Sequence, residues 1–189
     1  AAAQAAAEEA GIEFRVLDIT GELDRLVRRP FARAYAEGRT PNPCVLCNPL
    51  VKFRVLAEVA DELGGGAIAT GHYVKNPYIN GIGHKMLVSN GENDQSYMLS
   101  RLPDELIERA VFPLAGMKKS AVRALADKEG LSVHDAPDSM EICFVPGRDF
   151  AALVEEFAEG DLTGNFIDKD GNVFGRHNGI HRLTVGQRQ

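Results

Sequence analysis

Residues 64–73 read "GGGAIATGHY", and this stretch decides the fold class. Its core, "AIAT", is a short apolar run bounded by glycines, which is typical of a strand buried in a parallel sheet. The segment before it, residues 49–64, is predicted to be helical because apolar residues recur there at spacings of three and four: Leu50, Phe53, Leu56, Val59 and Leu63. A helix that leads through glycines into a buried strand indicates an α/β domain.

The same order of elements is predicted at the start of the chain. Residues 2–10 are rich in alanine and form a helix that Gly11 ends, and "EFRVLDI" at 13–19 then predicts a strand. A further helix is expected over 22–38, with a break near Pro30. Residues 103–130 predict two short helices, separated between Pro113 and Gly116.

The last part of the chain differs in composition. "DFAALVEEFAEG" at 149–160 predicts a helix, and "KDGN" at 169–172 is a strong hairpin-turn signal. We therefore predict that residues 1–149 are the later part of a parallel-sheet nucleotide-binding domain. Residues 150–189 are predicted to begin a small, mixed, β-rich domain. Residues 107–131, although they precede it in the chain, are a candidate segment to pack with this domain. The opening without Met and the strand-like last residues predict a fragment of a longer chain.

Charge and cysteine content narrow the function classes. The net charge of −6 and the pI of about 5.4 argue mildly against a broad nucleic-acid-binding face, although basic residues cluster around 25–29 and 118–123. The chain has no apolar run of membrane-spanning length and no signal-peptide pattern. Three cysteines without an export signal predict a reducing, cytoplasmic location and thiols that are reactive or bind metal.

Two of these cysteines form a C-x-x-C pair in "TPNPCVLCN" at residues 40–48. Pro41 and Pro43 hold the preceding segment extended, and a thiol near the start of a helix is acidified by the helix dipole. The pair leaves several uses open. Zinc would need a fourth ligand such as His72, an iron–sulfur cluster would use all three cysteines, and sulfur transfer would need one carrier and one attacking thiol.

Other candidate residues have ordinary structural interpretations. Cys143, between Ile142 and Phe144, is by itself interpreted as a small buried hydrophobic side chain. "EICFV" at 141–145 is a candidate strand or extended loop. Tyr97 and Met98 are interpreted as core residues. The glycines around the two histidines of "GRHNGIH" favour a structural role over a metal site there.

Five motifs in order then resemble the tRNA-specific 2-thiouridylases of the MnmA type, from about residue 12 to the end of the chain. The motifs are "GRTPNPCVLCN…VKF", "ATGHYV", "DQSYMLSRL", "SMEICF" and "GRHNGI…TVGQR". The resemblance implies a PP-loop domain of the adenine nucleotide alpha hydrolase-like class. It also implies ATP-dependent thiolation of the wobble uridine of tRNA at C2, through adenylation of the C2 oxygen and sulfur transfer from a cysteine persulfide.

The resemblance assigns roles to residues of this chain. Cys143 is the implied persulfide carrier, Cys47 is the attacking partner, and the two are expected to form a disulfide during the reaction. Gly71 matches a glycine that contacts ATP, which acts with Mg²⁺. The positions that match tRNA-contacting residues are Asn42, Pro43, Cys44, His72, Asn93, Asp94 and Gln95. The expected partners are tRNA and either a persulfide-donating sulfur-relay protein or a cysteine desulfurase.

The sequence departs from the family pattern in ways that bear on mechanism. Many members have Asp where this chain has Cys44, so the role of Cys44 stays open. An iron–sulfur cluster on Cys44, Cys47 and Cys143 is the first alternative, and a non-enzymatic zinc or structural module is the second. The Ser-Gly-Gly-x-Asp-Ser loop that binds ATP in the family does not occur in the sequence, so the chain alone is expected to be inactive. Asn93 replaces a basic residue, and the resemblance implies that a C-terminal barrel of the family would follow Gln189.

Overall fold

A computed structural model describes residues 2–84, 87–137, 142–145, 147, 149–184 and 186. Its regular structure is mainly helical. The α-helices are α1 (Ala2–Glu9), α2 (Thr20–Leu23), α3 (Arg29–Ala36), α4 (Cys44–Cys47), α5 (Phe53–Glu62), α6 (Asp104–Arg109), α7 (Lys119–Lys128) and α8 (Phe150–Phe157). None of the described helices is both long enough and apolar enough to cross a lipid bilayer.

The strands are short and pair in twos. They are β1 (Ile68–Ala69), β2 (Val74–Lys75), β3 (Val88–Ser89), β4 (Ala110–Val111), β5 (Gly164–Ile167) and β6 (Val173–His177). Within the described residues, π-helical turns occur at Asp24–Arg28 and Asn48–Lys52, and 3-10 helices occur at Ser96–Leu99, Ser132–Asp135 and Ile180–Arg182.

Contacts divide the chain into two compact units. The first unit comprises Ala1–Ile19 and Cys44–Asp138, and the second comprises Thr20–Pro43 and Ser139–Gln189. The helix predicted over 22–38 thus groups with the C-terminal segment, and residues 107–131 group with the first unit. The domain division at residues 149 and 150 stays a prediction, because a grouping by contacts does not establish which segments fold together.

The first unit contains the parallel pairing that the glycine-bounded run predicts. Strand β1 pairs in parallel with β4, with Ile68 opposite Ala110 and Ala69 opposite Val111. Ile68 and Ala110 are both buried, together with a core that includes Phe53, Leu99 and Leu106. The coarse prediction of an α/β fold with a parallel sheet is therefore confirmed.

The strand predicted at 13–19 is wrong. Residues 12–19 form neither strand nor helix, and their apolar side chains are exposed: Ile12, Phe14, Val16 and Leu17. Val16 is 82% exposed. A strand exists only when a neighbour pairs with its backbone groups, and within the described residues none pairs with this segment.

The predicted break near Pro30 is not a break. Helices α2 and α3 join through the π-helical turn, in which the N–H of Arg29 donates to the carbonyl of Asp24. Proline lacks an N–H and its ring clashes with the carbonyl four residues earlier in a regular α-helix. The wider turn directly before Pro30 absorbs this clash, so the helix continues from Thr20 to Ala36.

The helix predicted over 49–64 forms, but the side chains that it buries are not the full set of recurring apolar residues named above. Leu50, Leu56 and Leu63 are exposed, while Phe53 is fully buried along with Val51. The π-helical turn at Asn48–Lys52 explains part of the difference, because one additional residue in a turn rotates the residues on either side relative to each other.

In the second unit, α3 and α8 pack around an aromatic core. Phe31 lies edge-to-face with Phe144 at 5.5 Å, and Tyr35 stacks on Phe150 at 5.9 Å between ring centroids. The predicted hairpin is confirmed: β5 and β6 pair antiparallel, and the Asp168 carboxylate accepts from backbone N–H groups in the turn. The "EICFV" segment is a turn over the described residues 142–145, not a strand.

Candidate functional site

The cysteine pair opens a long helix in the first unit. Helix α4 begins at Cys44 and continues through the π-helical turn into α5, so Cys44 and Cys47 occupy its first turn. Residues 39–48, "RTPNPCVLCN", are by sequence predicted to be a loop, but this loop ends at Pro43 and residues 44–48 are helical. Cys44 is half-buried and Cys47 is buried, at 6% exposure. Both thiols therefore lie close to the backbone N–H groups at the start of this helix.

Asn48 ties this first turn to a neighbouring element. Its Nδ2 donates to the Cys44 carbonyl at 3.0 Å and to the Met98 carbonyl at 3.1 Å. Met98 belongs to the 3-10 helix Ser96–Leu99, within the "DQSYMLSRL" motif. The structure thus brings two of the five motifs together through a residue that the sequence analysis did not single out.

His72 lies just beyond the carboxyl end of β1, where parallel sheets commonly bind ligands. Its Nδ1 is 3.0 Å from the Thr70 hydroxyl, and its ring centroid is 5.9 Å from that of Phe53 on the cysteine-bearing helix. Burial, together with the positive charge of Lys52, lowers the pKa of His72. The imidazole is therefore neutral at pH 7 and can accept or donate a hydrogen bond.

Gly71 is exposed at the end of the same strand segment. A Cβ at this position would meet only Leu114, at an ordinary contact distance of 3.8 Å. The surroundings therefore do not demand glycine for steric reasons, and an open backbone at a strand end fits a nucleotide.

The predicted tRNA-contacting residues 93–95 occupy a loop next to His72. The Asp94 carboxylate accepts from the Asn90 N–H at 2.8 Å and the Ser96 hydroxyl at 2.7 Å, and these bonds lower the pKa of Asp94. Gln95 Oε1 accepts from the Tyr73 N–H at 3.0 Å. Asp94 and Gln95 therefore shape the loop, whereas Asn93, at φ 59°, presents an exposed side chain.

The "DQSYMLSRL" motif also corrects an interpretation of the sequence. Tyr97 is 50% exposed, so the interpretation that it is a core residue is wrong. In a 3-10 helix successive side chains point in different directions, and Leu99 takes the buried position instead. Tyr97 thus adds an exposed aromatic ring beside the loop that carries Asn93.

The remaining predicted residues lie in the second unit. Asn42 is exposed and Pro43 is buried. Cys143 is exposed, which contradicts the interpretation of a buried hydrophobic side chain. Its neighbour Phe144 packs against Phe31 instead, and the Val145 N–H closes the turn on the Ile142 carbonyl at 2.9 Å. The first three residues of the "SMEICF" motif lie outside the described residues.

Cofactor and disulfide chemistry at the cysteines remains a matter of prediction. All three cysteines are present as thiols. Over the part of the chain that the structure describes, no three His, Cys, Asp or Glu side chains are grouped closely enough to hold a metal ion. The geometry therefore adds no support to the zinc or iron–sulfur alternative, and the pairing of Cys47 with Cys143 stays a prediction.

Known families and proteins match nearly the whole chain. The model of the tRNA methyl transferase HUP domain matches residues 1–147, and that of the tRNA methyl transferase PRC-barrel domain matches residues 152–189. A tRNA-specific 2-thiouridylase MnmA of Geobacter metallireducens is 44% identical over 99% of this chain and 51% of its own length. The protein of the same name from Caulobacter sp. is 43% identical over 99% of this chain and 46% of its own length.

The chain spans about half the length of the curated relatives it matches. The match to the first family model covers well over half of the chain, and the relatives carry the name of the family that the five motifs resemble. The predicted family resemblance is therefore confirmed: the chain belongs to the family described by the tRNA methyl transferase HUP and PRC-barrel domains, which includes proteins named tRNA-specific 2-thiouridylase.

Proposed function

We propose that the protein carrying this sequence is a tRNA-uridine 2-sulfurtransferase that thiolates the wobble uridine. The observation that carries the proposal is the cysteine-bearing helix start, which lies in the same unit as a neutral strand-end histidine and an exposed loop at residue 93. The relatives' names state 2-thiouridylase, while the family description states methyl transfer. The sequence has no glycine-rich motif for a methyl-donor cofactor, so we favour thiolation.

Sulfur transfer requires a good leaving group at C2 and a sulfur nucleophile. Attack of the C2 oxygen of the uridine on the α-phosphate of ATP, with Mg²⁺, would break the α–β phosphoanhydride bond, release pyrophosphate and leave that oxygen as part of an AMP leaving group. The outer sulfur of a persulfide on Cys143 forms the new C–S bond while the C2–O bond breaks, and AMP departs. The Cys47 thiolate attacks the inner sulfur, so the S–S bond of the persulfide breaks and a Cys47–Cys143 disulfide forms.

The exposures of the two cysteines support this division of roles. Cys143 is exposed and can receive sulfur from a persulfide-donating relay protein or cysteine desulfurase. Cys47 is buried in the first turn of a helix, so its sulfur is shielded from other oxidants. A cellular thiol must reduce the disulfide before the next cycle, which suits a reducing cytoplasm.

Residues around the cysteines would then bind tRNA and ATP. His72, Asn93 and the loop held by Asp94 and Gln95 form one candidate surface for an unstacked anticodon base, whose edges proteins can read by hydrogen bonds. Asn42, Pro43 and Cys44 lead into the cysteine helix and are proposed to face the same base. The exposed backbone at Gly71 is the proposed contact for ATP.

A second mechanism deserves a test because Cys44 shares a helical turn with Cys47. Together with Cys143, these thiols could ligate an iron–sulfur cluster whose open iron carries sulfide. The two mechanisms differ in what Cys44 does. In the persulfide mechanism, replacement of Cys44 by Asp is tolerated. In the cluster mechanism, the same replacement would remove a thiolate ligand of the cluster.

The test uses the full-length protein, purified without oxygen. Iron, acid-labile sulfide and ATP-dependent thiolation of tRNA are measured for the wild type and for Cys44→Asp, Cys47→Ser and Cys143→Ser. The persulfide mechanism predicts activity without iron, retention of activity in Cys44→Asp and loss in the two serine variants. Stoichiometric iron, with activity lost in all three variants, would establish the cluster mechanism instead. If the wild type thiolates tRNA neither with iron bound nor without it, the proposed function is refuted.

A further inference from the structure

Asn48 follows Cys47 directly and is almost completely buried, at 2% exposure. No role follows for it from the resemblance or from the family match. We infer that Asn48 is a positioning residue that fixes the cysteine turn for sulfur transfer. This inference rests on the proposed function for its catalytic meaning, and its structural basis is independent of it.

Both hydrogens of the Asn48 amide are donated, one to the Cys44 carbonyl at 3.0 Å and one to the Met98 carbonyl at 3.1 Å. The first bond braces the turn that carries both cysteines. The second fastens that turn to a segment 50 residues away, in the 3-10 helix Ser96–Leu99.

Asn48 Oδ1 is buried and has no hydrogen-bond partner among the described residues. A buried acceptor without a partner is destabilising, so the two hydrogen bonds that the same amide donates must offset this cost. Asparagine is therefore explained here by the Cys44 and Met98 carbonyls to which its amide donates.

The backbone hydrogen bonds of the helix are weakened directly after Asn48, because Pro49 lacks an N–H and the helix widens into the π-helical turn Asn48–Lys52. A helix start with fewer backbone hydrogen bonds needs another restraint if its side chains are to stay in place. The Asn48 amide supplies it and holds Cys47 in its shielded position, at 6% exposure.

The test compares Asn48→Leu with a matched control, Asn76→Leu, in the full-length protein. Asn76 lies in the same unit, donates its Nδ2 to the Ile107 carbonyl at 3.0 Å and also has a buried Oδ1 without a partner among the described residues. The side chain of leucine has the shape of asparagine without its hydrogen bonds. Asn48→Ala is the second variant, in case leucine prevents folding.

The main readout is the rate of alkylation of Cys47 by iodoacetamide, followed on fragment ions of the tryptic peptide 40–52 that distinguish Cys47 from Cys44. Each of the two hydrogen bonds makes a small net contribution to stability, and their loss frees the turn. The rate of alkylation at Cys47 therefore rises about tenfold in Asn48→Leu. The rate at Cys143 is unchanged, and Asn76→Leu alters neither rate. In tRNA thiolation, kcat falls about tenfold for the Asn48 variants while KM for tRNA is unchanged.

Two results would overturn the inference. One is equal alkylation of Cys47 in the Asn48 and Asn76 variants. The other is a loss of thermal stability in the Asn48 variants without a change in the reactivity of Cys47, which would indicate a purely structural role. Failure of the wild type to thiolate tRNA would refute the proposed function instead, and it would leave the alkylation comparison intact.

Discussion

Replacement of Gly179 by alanine should destabilise the second unit through a collision with one buried ring. Gly179 has φ 136°, and a Cβ there would lie 2.7 Å from Nδ1 of His181. The His181 ring is 4% exposed, and its Nε2 lies 3.1 Å from the Glu155 carboxylate. The ring therefore cannot move aside without giving up this contact. The interpretation of this histidine as structural agrees with its burial.

The expected loss in the free energy of unfolding for Gly179→Ala has two contributions. A non-glycine residue at such a φ costs roughly 1–3 kcal/mol, and overpacking of a filled site costs about 1–3 kcal/mol more. We expect a total of about 3–4 kcal/mol in the free energy of unfolding of this unit, which is more than a hundredfold in its opening equilibrium. Hydrogen exchange of peptides from α8 and from the β5–β6 hairpin measures it directly.

Two controls separate the contributions. Gly171→Ala lies in the same unit at φ 87° with no other atom within 4 Å of a Cβ, so it carries the backbone contribution alone. In a His181→Ala background the collision disappears, and Gly179→Ala should then cost about as much as Gly171→Ala. If Gly179→Ala in the wild type accelerates exchange no more than Gly171→Ala does, the collision with His181 is not real and the reasoning fails.

Two further predictions concern the first unit. Phe53→Ala removes a fully buried ring from the core and should lower the free energy of unfolding by about 3–5 kcal/mol, as measured by urea denaturation, whereas the same change at the exposed Leu63 should cost far less. The pKa of His72 is lowered in the folded state by burial and by Lys52, so protons bind the unfolded chain more readily. The free energy of unfolding should therefore fall as the pH drops below about 6.5, and His72→Gln should remove this part of the pH dependence. An unchanged pH dependence in His72→Gln would show that other groups cause it.

Local patterns in the sequence determined much of the fold. The glycine-bounded "AIAT" run predicts the parallel strand β1, and "KDGN" predicts the hairpin of β5 and β6. These predictions hold because the signals, apolar runs and turn residues, act over a few neighbouring positions. The family resemblance also came from the sequence, because five motifs in a fixed order are specific even though each alone is weak.

Only the tertiary structure decided which side chains are buried and which groups meet. Residues 13–19 have the composition of a strand, yet no described segment pairs with them and they stay irregular. Cys143 is exposed because its neighbour Phe144 takes the place against Phe31, and Asn48 gains its two partners only when a segment 50 residues away packs on the cysteine helix. Strand pairing, burial and long-range hydrogen bonds depend on residues far apart in the chain, which no local pattern contains.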